Sequence, residues 1–164
     1  MTVPPPRLRL LVCGSADRGD DGAALSAVAH VLPRLDPRVL EQLEVRRCVQ
    51  LDAADVIDVA NDEACLILDT VVGVAAGSVV ELGFDDLADR AAVAPRSSHA
   101  LPIDQTLGVA RAIRGVLPQG RFVGIGGKWF GFGPVRSRAL RDGMAGFEHA
   151  VEAAILRYTA SVVV

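Results

Sequence analysis

The sequence predicts an α/β domain, a three-layer α/β/α sandwich around a mostly parallel, twisted sheet of about five strands. Apolar runs alternate along the chain with segments whose apolar residues recur at helical spacing. The runs are continuous rather than alternating, which is typical of strands covered on both faces. No repeat, charged block or linker interrupts the 164 residues. We therefore expect one domain over residues 1–164, with a disordered, proline-rich start at residues 1–6.

The first strand is predicted at Arg7–Cys13 because its apolar run stops at Gly14. A helix is predicted after it and is ended by Pro37. The expected buried face of that helix consists of Leu25, Val28, Ala29, Leu32 and Leu35. Asp20 and Asp21 stand just before the helix, where carboxylates suit the positive end of the helix dipole.

The later elements continue the alternation of strands and helices. In chain order they are a strand at Leu43–Val49, a helix at Ala53–Ala60, strands at Ala64–Leu68 and Ser78–Leu82, a turn of helix within Leu87–Ala94, a helix at Ile103–Val116 and a strand at Arg121–Ile125. The helix from Ile103 places Ile103, Leu107, Ala110 and Ile113 on one side. The closing helix has the clearest apolar stripe, formed by Leu140, Met144, Phe147, Val151, Ile155 and Tyr158.

Composition excludes several classes of protein. A hydrophobic content of 51% excludes a disordered chain. The longest stretch without a formal charge, Gly22–Pro33, has twelve residues, and a membrane-spanning helix needs about 18 or more. The net charge of −3 offers no basic patch for nucleic acid. The start of the chain lacks the order of a signal peptide, and Cys13, Cys48 and Cys65 are typical of buried thiols without disulfides. We expect a cytoplasmic monomer that contacts neither nucleic acid nor membrane.

Three polar clusters follow predicted strands or precede a helix. They are Gly14–Gly22 (GSADRGDDG), Asp69 and Ser97–His99. In parallel sheets, ligands bind outside the carboxyl ends of the strands. Two carboxylates and one imidazole meeting there could form an open site for zinc, nickel or iron.

Each candidate ligand has a plainer interpretation. One acid of the Asp20–Asp21 pair is expected only to cap the helix, and Asp69 could be a turn residue, although a carboxylate after an apolar strand favours function. His99 is the best-placed imidazole because His30 and His149 fall inside predicted helices. A serine hydrolase built on Ser98 and His99 would lack the GxSxG elbow.

The segment Gly124–Gly133 (GIGGKWFGFG) matches neither a phosphate-binding P-loop nor a dinucleotide fingerprint. Its glycines predict either close approach of the backbone to a neighbouring group or a flexible flap. Trp129, Phe130 and Phe132 concentrate three of the seven aromatic residues here. They would dock a partner if exposed and cap the core if buried.

Together these segments resemble the hydrogenase maturation proteases, endopeptidases that remove a C-terminal tail from the large subunit of nickel–iron hydrogenases. Gly14–Gly22 resembles their glycine–asparagine and acid–acid–glycine signature. The other matching segments, in the same order along the chain, are Leu66–Thr70 with Gly73 and Gly77, Ser98–His99 with Leu107, and Gly124–Gly126. The likeness extends from about Leu8 to Tyr158.

The resemblance implies an α/β/α domain in which Asp21, Asp69 and His99 contact the nickel already placed in the precursor. The nickel is thus supplied by the substrate, and the partner is a hydrogenase large-subunit precursor. Ser15, the Asp17–Arg18 pair and the loop Gly126–Pro134 depart from the family pattern. Two other functions stay open, a non-catalytic assembly factor that holds a metalloprotein precursor and a small-molecule metallohydrolase.

Overall fold

The computed structural model describes residues 7–89, 102–159 and the backbone of residues 96–97. Its strands are β1 (Leu8–Cys13), β2 (Leu43–Cys48), β3 (Ala64–Val72), β4 (Val79–Gly83), β5 (Arg96–Ser97) and β6 (Gly120–Gly126). Its α-helices are α1 (Ala23–Val31), α2 (Pro37–Leu40), α3 (Ala53–Ile57), α4 (Phe84–Asp89), α5 (Ile103–Arg114) and α6 (Arg138–Thr159). The predicted proline-rich start, the end of the Leu87–Ala94 segment and the Ser98–His99 pair lie outside the described residues.

The strands form one sheet in the order β2-β1-β3-β6-β4, with β5 paired to β3. The pairs β1–β2, β1–β3 and β3–β6 are parallel. The pairs β4–β6 and β3–β5 are antiparallel. Long crossovers connect the parallel strands, and helices in those crossovers cover the sheet. The predicted fold class, an α/β sandwich around a mostly parallel sheet, is confirmed.

Two apolar clusters separate the three layers. On one face of the sheet α1 and α6 pack together over alternate residues of β1, β3 and β6. On the other face α3 and α4 both contact α5, over the intervening residues of the same strands. The central strands β1 and β3 are buried almost throughout, which explains why their sequences are continuous apolar runs. Among the described residues, none of the helices combines the length and the hydropathy that a membrane span requires.

The predicted face of the first helix is partly wrong. The α-helical hydrogen bonding ends at Val31, and a 3₁₀ turn occupies Leu32–Arg34. The buried residues of α1 are Ala23, Ala24, Ala27, Val28 and Val31, whereas Ala29 is exposed. The small alanine side chains let α1 lie close to both the sheet and α6. The prediction from periodicity missed these alanines because it relied on the larger leucines.

The two long helices follow their predicted stripes closely. In α6 the residues Leu140, Phe147, Val151 and Ile155 are fully buried, and Met144 and Tyr158 pack against the same core. In α5 the residues Ile103, Leu107 and Ala110 are buried as predicted. Ile113 was predicted on that side and is 65% exposed.

The backbone before β4 lies directly against α6. A Cβ atom at Gly143 would lie 2.7 Å from the Cα atom of Gly77 and would overlap the Gly77 carbonyl oxygen. Gly77 itself has φ = +82° and faces the carbonyl oxygen of Ala139. The two glycines therefore let a loop and a helix touch backbone to backbone.

We expect Gly143→Ala to destabilise the protein by about 1–3 kcal/mol, because the added methyl meets rigid backbone. The matched control is Gly146→Ala in the same helix, where the added Cβ would find its nearest neighbour at 3.9 Å. That change should stabilise by about 0.5–1 kcal/mol through helix propensity. Urea unfolding of both variants measures the free energies, and equal stability of the two would contradict the close packing.

Candidate functional site

The loop after β1 folds tightly around Asp21. Gly14 has φ = +126°, and a Cβ atom there would overlap the Asp21 carbonyl oxygen. The backbone amide of Ser15 donates a hydrogen bond of 2.9 Å to Oδ2 of Asp21. Asp21 lies in a 3₁₀ turn, Gly19–Gly22, and is almost fully buried. The glycine conformation thus brings the chain back so that a main-chain donor holds this carboxylate.

The neighbouring acid, Asp20, is the anchor of the glycine-rich loop. Its Oδ2 accepts hydrogen bonds from the amides of Lys128 and Trp129, at 2.7 and 3.0 Å, and from the hydroxyl of Ser137 at 2.7 Å. Its Oδ1 accepts the amide of Ser137 at 2.7 Å. Burial by itself would raise the pKa of Asp20, but these hydrogen bonds outweigh it and hold the pKa below its usual value. Asp20 is therefore a buried, charged structural residue.

The expectation that one acid of the pair caps the first helix is wrong. The N-cap of α1 is Gly22, and no side chain hydrogen-bonds the start of the helix. Both carboxylates turn away from it, Asp20 to the loop at residues 128–137 and Asp21 to the loop after β1. The family resemblance assigns Asp21 to the site, but the local sequence does not reveal what Asp20 binds, because the donors to Asp20 come from more than 100 residues further along the chain.

Asp69 lies within β3 rather than after it. The strand continues to Val72, and Asp69 pairs in register with Gly124 of β6. The Asp69 side chain is 1% exposed, and its Oδ1 accepts the amide of Thr70 at 2.8 Å. The pairing of β1 with β3 reaches only Leu68. Asp69 is therefore at the carboxyl-end edge of the sheet with respect to β1, as the sequence predicted.

One hydrogen bond connects the two acidic segments. The hydroxyl of Thr70 donates to the carbonyl oxygen of Asp20 at 2.8 Å, and both groups are buried. The residues next to Asp69 and next to Asp21 are thus in direct contact. The structure brings together two of the three predicted segments.

The third member of the predicted site, His99, lies outside the described residues. Within the residues that are described, no group of three His, Cys, Asp or Glu side chains is arranged to hold a metal ion. The assignment of Asp21, Asp69 and His99 as nickel contacts therefore stays a prediction.

The glycine-rich loop is held firmly but presents aromatic side chains to solvent. The amide of Gly19 donates to Gly133 O at 2.8 Å, and that of Gly133 donates to Asp17 O at 2.7 Å. Trp129 is 54% exposed and Phe132 is 91% exposed. Of the two predictions for these glycines, close backbone approach is confirmed, since Cβ atoms at Gly126, Gly127 and Gly131 would all overlap neighbouring atoms.

The cysteines are free, as predicted, and Cys13 and Cys65 are buried, but Cys48 is only half-buried. Burial raises the pKa of Cys65 to about 12, which keeps it a neutral thiol. A hydrogen bond with Cys48 and burial both raise the pKa of Cys13. Deeply buried thiols with raised pKa values are poor nucleophiles, so the packing interpretation suits Cys13 and Cys65.

Comparison with known proteins shows the fold. No protein-family model matches the sequence, and none of the curated proteins compared does. The [NiFe] hydrogenase maturation protease HybD from Thermococcus kodakarensis is 20% identical, with a TM-score of 0.64 over 90% of this chain and 97% of that one. The hydrogenase maturating endopeptidase HybD from E. coli is 17% identical, with a TM-score of 0.69 over 92% of each chain. A hydrogenase 3 maturation protease is 18% identical, with a TM-score of 0.63 over 93% of this chain and 92% of that one.

These likenesses show that the chain has the fold of the hydrogenase maturation proteases over almost its whole length. The resemblance inferred from the sequence is thereby confirmed at the level of the fold. Activity and site residues are a separate question, because one fold can carry different functions.

We expect Asp20→Asn to destabilise the protein by about 2–4 kcal/mol, because an amide cannot accept all the hydrogen bonds that both carboxylate oxygens now accept. Because the pKa of Asp20 is lowered in the folded state, its ionised side chain stabilises that state. The stabilisation is fully present above the pKa of Asp in the unfolded chain, about 3.9. That stabilisation is lost as the pH falls through the folded value. The difference between wild type and variant should therefore shrink in acid.

The control is Asp17→Asn in the same loop, since the exposed Asp17 side chain has no hydrogen bond to any described residue. Urea unfolding at neutral and acidic pH measures both variants. A loss at Asp20 no larger than that at Asp17 would show that Asp20 does not anchor the loop.

Proposed function

We propose that this protein is an endopeptidase that removes a C-terminal tail from a nickel-loaded hydrogenase large-subunit precursor. The observation that supports the proposal is that two buried carboxylates, Asp21 and Asp69, lie on segments joined by the Thr70–Asp20 hydrogen bond. They lie at the sheet edge where parallel α/β domains bind ligands. The chain that holds them has the fold of solved hydrogenase maturation proteases.

In this proposal Asp21, Asp69 and His99 contact the nickel that arrives with the precursor. Carboxylate and imidazole ligands suit such a borderline divalent ion. Nickel held there would act as a Lewis acid on the peptide to be cut. The chain itself supplies the rigid carboxylates: Ser15 fixes Asp21 through its amide, and Thr70 fixes Asp69 in the same way.

The departure from the family pattern at Ser15 does not disturb this arrangement. The hydrogen bond to Asp21 is donated by the backbone amide of residue 15, which any residue except proline supplies. At the second departure, the guanidinium of Arg18 lies 5.7 Å from the centre of the Phe132 ring. That contact ties the altered residue to the altered loop.

We expect the wild-type protein to shorten a nickel-loaded large-subunit precursor, as seen by mass spectrometry, and to leave the nickel-free precursor intact. Asp21→Asn, Asp69→Asn and His99→Ala should each lower the cleavage rate by about 100-fold or more, since each removes a proposed contact to the metal. Asp17→Asn and His149→Ala are the matched controls, because both positions are exposed.

Circular dichroism of each variant separates loss of activity from loss of folding. If the wild type leaves every nickel-loaded precursor uncut, the endopeptidase proposal is wrong. If the three variants cut at the wild-type rate, the assignment of the site residues is wrong.

A second candidate function is a non-catalytic assembly factor that holds the precursor without cutting it. The exposed Trp129 and Phe132 favour it, because they lie on a loop that Asp20 fixes beside the acidic site. Rigid exposed aromatic side chains are typical of protein-docking surfaces. Under either function we expect the occupant of this surface to be the precursor that reaches Asp21.

The binding measurement uses Asp21→Asn, a variant expected to bind the precursor without cutting it. In this background we expect Phe132→Ala to weaken precursor binding about tenfold, because one aromatic contact of ~1.4 kcal/mol is lost. Val116→Ala is the control, since Val116 is also largely exposed and lies after α5. Biolayer interferometry measures both dissociation constants. A wild-type protein that forms a lasting complex with intact, nickel-loaded precursor would favour the assembly factor, and equal binding by both alanine variants would exclude this docking surface.

A further inference from the structure

A groove of about 540 Å³ lies beside Asp21, at the carboxyl ends of β1 and β2. Ser15, whose amide holds Asp21, is part of its lining. Helix α1 contributes Leu25 and Ala29, and Val49 follows β2 on the other side. The volume falls within the range of roughly 300–1,000 Å³ that is typical of ligand sites.

Two arginines give the groove a positive charge. Arg47 and Arg136 line it, and none of its other lining residues is an acid. Arg47 is exposed and has no ion pair within the described part of the chain, whereas its neighbour Arg46 is bonded to Glu44 at 2.7 Å. The positive charge of the groove contrasts with the net charge of −3 of the whole protein.

Arg136 is held in place but only partly satisfied. Its Nη2 donates to the carbonyl oxygen of Gly22 at 3.3 Å. Its Nε is buried and has no hydrogen-bond partner among the described residues. A guanidinium has five N–H donors and no acceptor, and an unpaired buried donor is costly. The Arg136 guanidinium therefore has at least one donor that no described residue accepts.

The lining favours a peptide over a small inorganic anion. Leu25, Ala29 and the exposed Val49 provide apolar surface in the groove that the two arginines also line. An extended peptide presents apolar side chains and can carry a carboxylate, which arginine binds through paired hydrogen bonds.

We propose that this groove binds the part of the substrate chain next to the scissile bond and that Arg47 and Arg136 hold a carboxylate of that segment. The inference rests on the proposed function, since it places the groove beside the site of cleavage. The carboxylate is either the chain terminus or an Asp or Glu side chain. Arg47 and Arg136 are thereby specificity-determining residues, separate from the nickel contacts.

The test uses the full chain, labelled with ¹⁵N, and three synthetic pentapeptides followed by NMR. The first is acetyl-Ala-Leu-Glu-Ala-Val-amide, the second has Gln in place of Glu, and the third has Gln with an unblocked C-terminus. We expect saturable shifts of the Ser15, Ala16, Cys48 and Val49 amides with the first or third peptide. Binding of the second, uncharged peptide should be weaker by about tenfold. The comparison of the first and third peptides shows which source of carboxylate is bound.

Arg47→Gln and Arg136→Gln should each weaken binding of the charged peptide about tenfold, and added salt should weaken it further. Arg47→Gln is informative even if Arg136→Gln unfolds, because the exposed Arg47 side chain makes no hydrogen bond or ion pair with a described residue. Arg38→Gln is the control, since Arg38 is exposed on α2, ahead of the opposite end of β2.

Equal binding of all three peptides, or unchanged binding by Arg47→Gln, would overturn the inference. Shifts of the same size with sodium acetate alone would show a general anion site instead of a peptide groove. The NMR titration needs neither nickel nor cleavage. Peptide binding without precursor cleavage would therefore overturn only the proposed function, and cleavage without peptide binding only this inference.

Discussion

The buried carboxylate of Asp20 is the constraint on which the candidate site depends. Its four hydrogen bonds, from Lys128, Trp129 and Ser137, join the turn before α1 to the segment that leads into α6. A charge removed from water is stable only when such donors surround it. The contact therefore has one stable geometry, and it fixes where the adjacent Asp21 lies.

The two neighbouring acids, Asp20 and Asp21, have different roles. The hydrogen bonds of Asp20 all serve the fold, whereas Asp21 accepts the backbone amide of Ser15, which lines the groove. The hydrogen bond from Thr70 to Asp20 then brings Asp69 to the same edge. The structural carboxylate of Asp20 thus positions the two candidate functional carboxylates, Asp21 and Asp69. Loss of its hydrogen bonds would displace Asp21, the glycine-rich loop and the nearby Arg136.

Such a platform suits a protein that recognises a large partner with a small domain. The packing behind it leaves little room for adjustment, because alanines bring α1 onto the sheet and Gly77 meets Gly143 backbone to backbone. Three features of different chemistry lie on this platform. They are the candidate acidic site of Asp21 and Asp69, the glycine-rich loop with Trp129 and Phe132, and the groove lined by Arg47 and Arg136. Under the proposed function, a substrate that satisfies all three would be selected by its metal, by shape and by charge together.

The sequence by itself determined the layers, the strand order along the chain and the stripes of α5 and α6, because hydrophobic periodicity is a local property. It also identified Asp69 and the Asp20–Asp21 pair as candidate functional acids. Only the tertiary structure decided what the other acid, Asp20, binds, since its donors lie beyond residue 127. The buried face of α1 and the groove of Arg47 and Arg136 were likewise decided there, because they depend on which distant segments pack against one another.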